Sequence, residues 1–239
     1  MSLATKVQRH YDDFADVYDA RYSGHRGSEY HRHISDHIMN LLPDGGNLLD
    51  IGCGTGLFMD RYIGRGGSAV GVDISSGMVR HGRRSGIDGD FCVGTATMLP
   101  FRDDAFDAVS SILAFSYVPD PAAMIRESFR VLTPGGRLAI CTLSRTLITS
   151  LVPIVYRVEE RLGLKSVCVG DFGEHYYTNA EMAELLSDAG FEDVATSRCT
   201  FAHVSLADPV FEMVQKIEPF VERAVPYLAY NVCASGAKP

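Results

Sequence analysis

The sequence predicts an α/β protein whose mostly parallel sheet is covered by helices on both faces. From about residue 47, short apolar segments typical of doubly buried strands alternate with helical segments. Turns rich in glycine or proline separate these segments. Apolar residues make up 46% of the 239 residues, which is enough for a large core without disulfides or a metal ion.

Two amphipathic helices, 5–22 and 28–42, precede the alternation. Five strands are then predicted at 47–51, 68–74, 90–93, 106–113 and 137–143. Helices are predicted between them at 56–63, 75–84 and 120–132. The last of these begins with Asp120 as the N-cap and Pro121 at the first helical position.

The alternation resumes after an interruption at residues 144–177. Thr178 and Glu181 form a capping box that opens a helix. Strands are predicted at 194–203 and 227–234, on either side of a helix that begins near residue 208. Because these two strands end the chain, they could pair antiparallel at the sheet edge.

The length fits one domain with inserted segments. The sequence contains no internal repeat and no low-complexity linker. We therefore expect a single domain over residues 1–239, with a core at about 44–143 and 178–236. Residues 1–43 would form a helical cap, and 144–177 a lid-like insertion whose first half is apolar.

The charge balance argues against nucleic acid as the partner. The net charge is −8 and the pI is about 5.4, whereas phosphate binding needs clustered Lys and Arg. No apolar run is long enough to span a bilayer, and the polar N-terminus is unlike a signal peptide. The six cysteines form no C-x-x-C pair, and free thiols fit a reducing cytosol. We expect a soluble, cytoplasmic protein of undetermined oligomeric state.

Three histidines in the second helix, His31, His33 and His37, allow two interpretations. His33 and His37 are four residues apart and share a helix face, as pairs of metal ligands often do. No Asp, Glu or Cys is compellingly placed beside them in the sequence, although Asp36 is near. We therefore favour a solvated helix face and predict no metal site.

The strongest local pattern is LLDIGCGTGL at residues 48–57, where a buried strand runs into three alternating glycines and a helix. Glycine lets the backbone turn sharply and touch a ligand, and the helix N-terminus adds unpaired N–H groups. Asp73 ends the next strand, where a carboxylate can accept hydrogen bonds from both ribose hydroxyls. The two strands therefore predict a nucleoside site at the carboxyl ends of a parallel sheet.

The glycine spacing bears on which nucleoside is bound. The dinucleotide fingerprint is G-x-G-x-x-G, whereas the glycines here are at 52, 54 and 56 and are followed by Leu57. This spacing counts against an NAD-dependent oxidoreductase, which is the alternative enzyme. A cofactor-binding module without turnover is the non-enzyme alternative.

Six stretches of the chain resemble the class I S-adenosylmethionine-dependent methyltransferases, especially the small-molecule group called methyltransferase type 11. They are HYDDFADVYDARY (10–22), LLDIGCGTGLF (48–58), AVGVDISSGM (69–78), MLPFRDDAFDAVSS (98–111), ESFRVLTPGGRLAI (127–140) and HYYTNAEMAELLSDAGF (175–191). They cover nearly the whole chain in the family's order. The resemblance implies a Rossmann-like sheet of seven strands with the last one antiparallel. It also implies S-adenosylmethionine as the cofactor and S-adenosylhomocysteine as its product.

The resemblance implies roles for residues near the glycine loop. Asp50 and the carbonyl of Ala114 would meet the amino group of the methionine moiety. Asp73 would hold the ribose hydroxyls. The backbone of four loop residues would line the methionine and the ribose: Gly52, Cys53, Gly54 and Gly56.

The resemblance also implies an adenine site. Ile74 and Met78 would sandwich the ring, although a plain helix-core role explains Met78 almost as well. Thr95 stands where the family usually has Asp, and its neutral hydroxyl would be a weaker acceptor for the adenine amine by about 1 kcal/mol. The Ala96 N–H can still serve the ring.

The catalytic residues are not singled out by the sequence. Tyr18 is the best match to the family for an aromatic wall beside the sulfonium, although a helix packing stripe explains it equally well. Tyr117 and His175 are further weak candidates. Ser116 stands where relatives often carry His, which weakens any assignment of a general base there.

The expected reaction is in-line displacement of the methyl group onto a small-molecule acceptor with an apolar body. The methylated atom, which is an oxygen, nitrogen or carbon, is left open. No Asn-Pro-Pro-Tyr or Asp-Pro-Pro-Tyr follows the fourth strand, as family members that methylate planar nitrogens often have.

Overall fold

The computed structural model describes residues 2–146, 149, 174–200, 202 and 208–239. Its strands are β1 (Asn47–Ile51), β2 (Ser68–Asp73), β3 (Asp90–Val93), β4 (Phe106–Ile112), β5 (Leu132–Leu143), β6 (Glu192–Cys199) and β7 (Asn231–Ala237). They form one sheet in the order β3-β2-β1-β4-β5-β7-β6. β7 runs antiparallel to both of its neighbours, and the other pairs are parallel. The predicted fold class is confirmed, including the antiparallel pairing of the last two strands.

The helices are α1 (Leu3–Phe14), α2 (Ala20–Ser23), α3 (His25–Met39), α4 (Leu57–Ile63), α5 (Ser76–Gly82), α6 (Pro121–Val131), α7 (Asn179–Asp188) and α8 (Asp208–Ala224). Short 3₁₀ turns occupy Phe115–Tyr117 and Pro226–Leu228. The Asp120 carboxylate caps α6, and Thr178 and Glu181 form the predicted capping box at α7. Within the described ranges, no helix combines the length and the apolar character needed to cross a bilayer.

The central strands are buried on both faces. Consecutive residues Leu48 and Leu49 are both inaccessible to solvent, yet they belong to two different apolar clusters. Helices α3, α4 and α5 contribute to the cluster that contains Leu48, whereas α6 and α7 contribute to the one that contains Leu49. This two-sided burial explains why the strand segments are apolar runs and do not alternate with polar residues.

The prediction of one helix over residues 5–22 is wrong. Helix α1 ends at Phe14, and turns carry the chain to the four-residue α2. The break allows the Asp19 carboxylate to accept a hydrogen bond from the Thr55 hydroxyl, at 2.6 Å. A tertiary contact therefore overrides the helical periodicity of this segment.

Three predicted strand boundaries are also wrong. β5 begins at Leu132 because Leu132 already pairs with Phe106 before a bulge at the Pro-Gly-Gly turn. β6 spans Glu192–Cys199 and ends before Thr200, whose φ of +71° leaves the extended region. β7 begins four residues later than predicted because Pro226 starts a 3₁₀ turn. The predicted lid at 144–177 lies largely outside the described residues.

Candidate active site

A cavity of about 260 Å³ opens at the carboxyl ends of the parallel strands. We call the lining residues from the strand ends the floor: Gly52, Gly54, Asp73, Ile74, 94–97 and 111–114. We call the lining residues of the N-terminal segment the cover: Ala4, Val7, Tyr11 and Tyr18. The cavity thus lies between strand-end loops on one side and helical residues on the other.

Gly52 allows two segments of the floor to approach closely. Its φ is +74°, and a Cβ built on it would lie 2.2 Å from the Cβ of Ala114. At Gly54 a Cβ would have room, because the nearest atom belongs to the Tyr18 ring at 3.8 Å. Gly52 therefore lets the Ala114 methyl group pack directly against its backbone, which a side chain at position 52 would prevent.

Asp73 is held in place by the backbone around it. One carboxylate oxygen accepts a hydrogen bond from the Gly54 N–H at 2.9 Å, and the other accepts from the Ser75 N–H at 2.8 Å. Burial raises the pKa of Asp73, and these hydrogen bonds oppose the rise. Because each carboxylate oxygen can accept more than one hydrogen bond, both keep capacity toward the cavity.

Asp50 lies just behind the floor and is only 3% exposed. It accepts a hydrogen bond from the Ser110 hydroxyl at 2.7 Å. Burial raises the pKa of Asp50 from its ordinary 3.8 to about 7, although Ser110 opposes the rise, and the Asp73 charge adds to it. A cation bound nearby would shift this group toward its ionised form.

The remaining floor is mostly apolar. Ile74, Ala96 and the nearly inaccessible Met78 line one side of the cavity. Thr95 lies in the same wall, with its hydroxyl oxygen 3.0 Å from that of Thr97. This part of the lining is therefore apolar apart from the two threonine hydroxyls.

The cover contacts Tyr117, in the 3₁₀ turn after β4, through packed tyrosines. Tyr11 and Tyr117 share a hydrogen bond, and their ring centroids are 6.2 Å apart in an edge-to-face arrangement. The Tyr18 ring centroid lies 6.2 Å from that of Tyr11 and 5.5 Å from that of Tyr22. Burial raises the pKa values of Tyr11, Tyr18 and Tyr117 above the ordinary 10. All three are therefore protonated at neutral pH and are unsuited to act as bases.

Two carboxylates tie the N-terminal segment to the strand-end loops. Asp12 accepts hydrogen bonds from the Ser75 hydroxyl at 2.7 Å and the Gly77 N–H at 2.8 Å. Asp19 accepts from Thr55, as described above. The cover is thus attached by side chains, whereas the floor is joined through backbone contacts.

Ten of the residues singled out by the sequence line the cavity: Tyr18, Gly52, Gly54, Asp73, Ile74, Met78, Thr95, Ala96, Ala114 and Tyr117. Four others, Asp50, Cys53, Gly56 and His175, lie off its lining. The Cys53 side chain packs against β2, where a Cβ on Gly71 would lie 2.5 Å from its Sγ. His175 is exposed, and its backbone N–H donates to the Ser116 carbonyl at 3.0 Å.

Gly56 has a packing role that the sequence did not reveal. Its φ is +92°, and a Cβ there would lie 2.6 Å from the Phe91 ring. It therefore allows α4 to begin close against β3. The glycines of this pattern therefore have two roles: Gly52 allows close packing at the cavity, and Gly56 allows close packing in the core.

Some residues of the site were missed by sequence reasoning. Ala4 and Val7 line the cavity, and Asp12 anchors the cover. Leu113 lines it with a φ of +58°, an unusual conformation for a residue other than glycine. Nothing in the sequence distinguishes Leu113, and Asp12 is one of several acids in its stretch.

Comparisons with known proteins show which family the chain resembles. A profile of the family described as a methyltransferase domain matches residues 49–140. The chain is 29% identical over 204 residues to the demethylmenaquinone methyltransferase of Renibacterium salmoninarum, covering 80% of this chain and 85% of that protein. It is 33% identical over 178 residues to the ubiquinone biosynthesis O-methyltransferase of Xylella fastidiosa, covering 68% of this chain and 69% of that protein.

A solved structure shares the fold. The geranyl diphosphate C-methyltransferase of Streptomyces coelicolor, in complex with S-adenosyl-L-homocysteine, superposes with a TM-score of 0.70. The match covers 100% of this chain and 99% of that one, at 17% identity. The two chains thus share one α/β fold over their whole length.

The chain belongs to the class I S-adenosylmethionine-dependent methyltransferases. It is therefore an enzyme that takes its methyl group from S-adenosylmethionine. Neither the oxidoreductase nor the binding-module alternative is favoured by these relatives.

Proposed function

We propose that the floor binds the nucleoside part of S-adenosylmethionine. The residues present fit it, because the Asp73 carboxylate keeps acceptor capacity toward the cavity for two ribose hydroxyls. The apolar wall of Ile74 and Met78 suits a flat adenine ring, with the Thr95 hydroxyl as an acceptor for its amine. The backbone at Gly52 and Gly54 would lie along the ribose and the methionine chain.

Asp50 would act through its charge. Because its pKa is raised to about 7, Asp50 is partly protonated in the free protein and would lose its proton when the ammonium of the methionine moiety binds beside it. The Ala114 carbonyl, beside Gly52, would accept a hydrogen bond from the same group. These two groups are proposed as the methionine end of the site.

The cofactor supplies an electrophilic methyl group on a positively charged sulfur. Tyr18 would face this charge with its ring, which contributes about 0.5–2 kcal/mol in such contacts. The Tyr117 phenol, which is hydrogen-bonded to Tyr11 and stays protonated at neutral pH, would border the acceptor. Both residues would exclude water and hold the acceptor in line.

The acceptor would be a small molecule with an apolar body, of the quinone or ring-hydroxyl type. The observation that carries this is a set of apolar residues in the cavity lining outside the proposed nucleoside site, namely Ala4, Val7, Val118, Pro119 and Met124. The names of the two relatives described above concern menaquinone and ubiquinone, which are apolar quinones.

The test is methyl transfer to matched acceptors. Prenylated and unprenylated demethylnaphthoquinol and catechol rings would be offered with S-adenosylmethionine, and S-adenosylhomocysteine would be quantified. We expect the prenylated member of a pair to have a KM about tenfold lower, since burial of a few methylene groups is sufficient. Activity only on protein, RNA or polar amines, or binding of S-adenosylmethionine without turnover, would overturn the proposal.

Two matched variants test whether the prenyl group of the acceptor contacts the cavity lining at Val7. Val7→Asn puts an amide on the apolar side of the cavity and should raise the KM only for prenylated acceptors. Val17→Asn makes the same change at a position that is 53% exposed and should leave both KM values unchanged. Equal losses in the two variants would indicate a general disturbance of the N-terminal segment.

The five described cysteines are free thiols. This supports a reducing, cytoplasmic location as part of the proposal.

A further inference from the structure

Helices α3 and α8 meet along a row of polar contacts that do not line the cofactor cavity. The Gln215 amide donates to the Glu29 carboxylate at 2.8 Å. One helical turn farther along α3, His33 Nε2 lies 2.8 Å from Glu222 Oε1 and 3.8 Å from Glu218 Oε1. His37 follows after another turn, with its ring centroid 5.1 Å from that of His33. The facing side chains are thus mainly carboxylates and imidazoles.

Three of these side chains converge on one point. One ligand atom from each of His33, His37 and Glu222 lies within 4.8 Å of the other two. Two imidazole nitrogens and a carboxylate oxygen form a common zinc ligand set. Bond lengths of about 2.0–2.1 Å in a tetrahedral site place ligand atoms roughly 3.3 Å apart, so small side-chain adjustments suffice.

The charge at this point favours a cation. Glu218 and Glu222 are 5% and 14% exposed, and both carboxylates face the same histidine. The N–H groups of Thr200 and Ala202 donate to them.

We propose that His33, His37 and Glu222 bind a divalent transition-metal ion of the zinc class, with Glu218 close by. The ion joins the N-terminal helical segment to α8 and stabilises their packing. His33 and Glu222 are 189 residues apart, which explains why the sequence offered no carboxylate for the histidine pair. The site has no part in methyl transfer, since none of its ligands lines the cofactor cavity.

The experiment uses the full chain after removal of metal by a chelator. Titration with Zn²⁺ is followed by calorimetry, and Co²⁺ serves as the spectroscopic probe. We expect one Zn²⁺ per chain and a melting temperature that rises with free Zn²⁺, because binding to the folded state stabilises it. His37→Gln and Glu222→Gln should each weaken binding about 10- to 100-fold.

Two controls separate ligation from packing. Gln215→Ala removes an α3–α8 contact that involves no proposed ligand, and His25→Gln removes an exposed histidine of the same helix. Both should bind Zn²⁺ as the wild type does. S-adenosylmethionine binding by every variant checks that each is folded.

Three results would overturn the proposal. One is the absence of stoichiometric binding at about 100 µM Zn²⁺, and another is unchanged affinity in both ligand variants. The third is a thiolate-to-cobalt charge-transfer band, because it would place the ion at the neighbouring buried thiols Cys141, Cys199 and Cys233. The expected Co²⁺ spectrum has d–d bands without that feature.

Discussion

The two sides of the proposed cofactor cavity are built in different ways. The floor is held by backbone: Gly52 packs against Ala114, and Asp73 accepts two main-chain N–H groups. The cover is held by side chains, through the Asp12 and Asp19 carboxylates and a cluster of tyrosines. Substitutions at Gly52 or Asp73 should therefore be poorly tolerated, whereas single changes in the side chains that hold the cover should loosen it and leave the fold intact.

The difference has a consequence for binding energy. A rigid floor can hold the nucleoside without reorganisation, and rigidity of this kind lowers the entropic cost of binding. A cover fixed by a few hydrogen bonds can open for ligand exchange, since each such bond contributes only about 1 kcal/mol. Substitutions on the two sides should thus differ in size and in the property affected.

The largest effect is expected for Gly52→Ala. The added Cβ would lie 2.2 Å from the Ala114 Cβ and would also be strained at a φ of +74°. Strain and overpacking of about 3 kcal/mol together should weaken S-adenosylmethionine binding about 100-fold, as measured by calorimetry. Chemical denaturation would report the parallel loss of stability.

Gly66→Ala is the matched control for this substitution. Gly66 also has a positive φ, of +89°, but nothing lies within 4 Å of the added Cβ. It should cost about 1 kcal/mol of stability and leave cofactor affinity unchanged. If both variants lost affinity equally, close approach at Gly52 would not be the reason for its glycine.

Asp50→Asn should weaken cofactor binding and stabilise the free protein. Loss of the charge opposite the ammonium should reduce affinity about 30-fold at pH 8. Because the folded pKa of Asp50 is raised to about 7, its ionisation destabilises the fold increasingly as the pH rises from about 4 to 7. The neutral amide avoids this cost, so the free variant should be more stable by roughly 1–3 kcal/mol at pH 8.

The same pKa predicts a pH dependence of binding. Wild-type affinity should fall by up to about tenfold per pH unit below 7, because cofactor binding must then release the Asp50 proton. Asp50→Asn should show a much flatter profile. A steep profile that persists in the variant would assign the titration to another group.

The floor was largely predictable from sequence because its parts lie close together in the chain. Gly52 and Gly54 follow one strand, Asp73 ends the next, and parallel strands bring their carboxyl ends to one edge. The sheet was predictable for the same reason, since each strand carries its own apolar signal. The predicted ends of helices and strands were wrong where they depend on the chain's local breaks and contacts, as at the break after Phe14 and the turn at Pro226.

The cover and the histidine cluster were less predictable. Asp12 contacts Ser75 and Gly77 across 63 to 65 residues, and no local pattern encodes that contact. Helical spacing could place Tyr11 and Tyr18 on one face but could not say what that face covers. The glycine loop shows the same limit, because Gly52 and Gly56 look alike in sequence, yet Gly52 packs against Ala114 at the cavity and Gly56 against Phe91 in the core.

Asp12→Ala should loosen the cover with little effect on the floor. It removes three hydrogen bonds from the start of α5, donated by the Ser75 and Ser76 hydroxyls and the Gly77 N–H, so we expect about 1 kcal/mol of lost stability and about fivefold to tenfold weaker cofactor binding. Stopped-flow measurements should show faster cofactor release with an unchanged association rate. Asp16→Ala, at a side chain that is 99% exposed, should have neither effect.

The smallest effect expected is a gain, from Thr95→Asp in the floor. A charged acceptor for the adenine amine is stronger than a hydroxyl by about 1 kcal/mol, so affinity should rise about fivefold. Thr97→Asp is the control, because it adds the same charge one step along the cavity wall. A gain confined to position 95 would indicate a directed hydrogen bond from a rigid floor. Equal gains at both positions would mean that general attraction of the cationic cofactor determines affinity. The floor would then not position the adenine amine against residue 95 specifically.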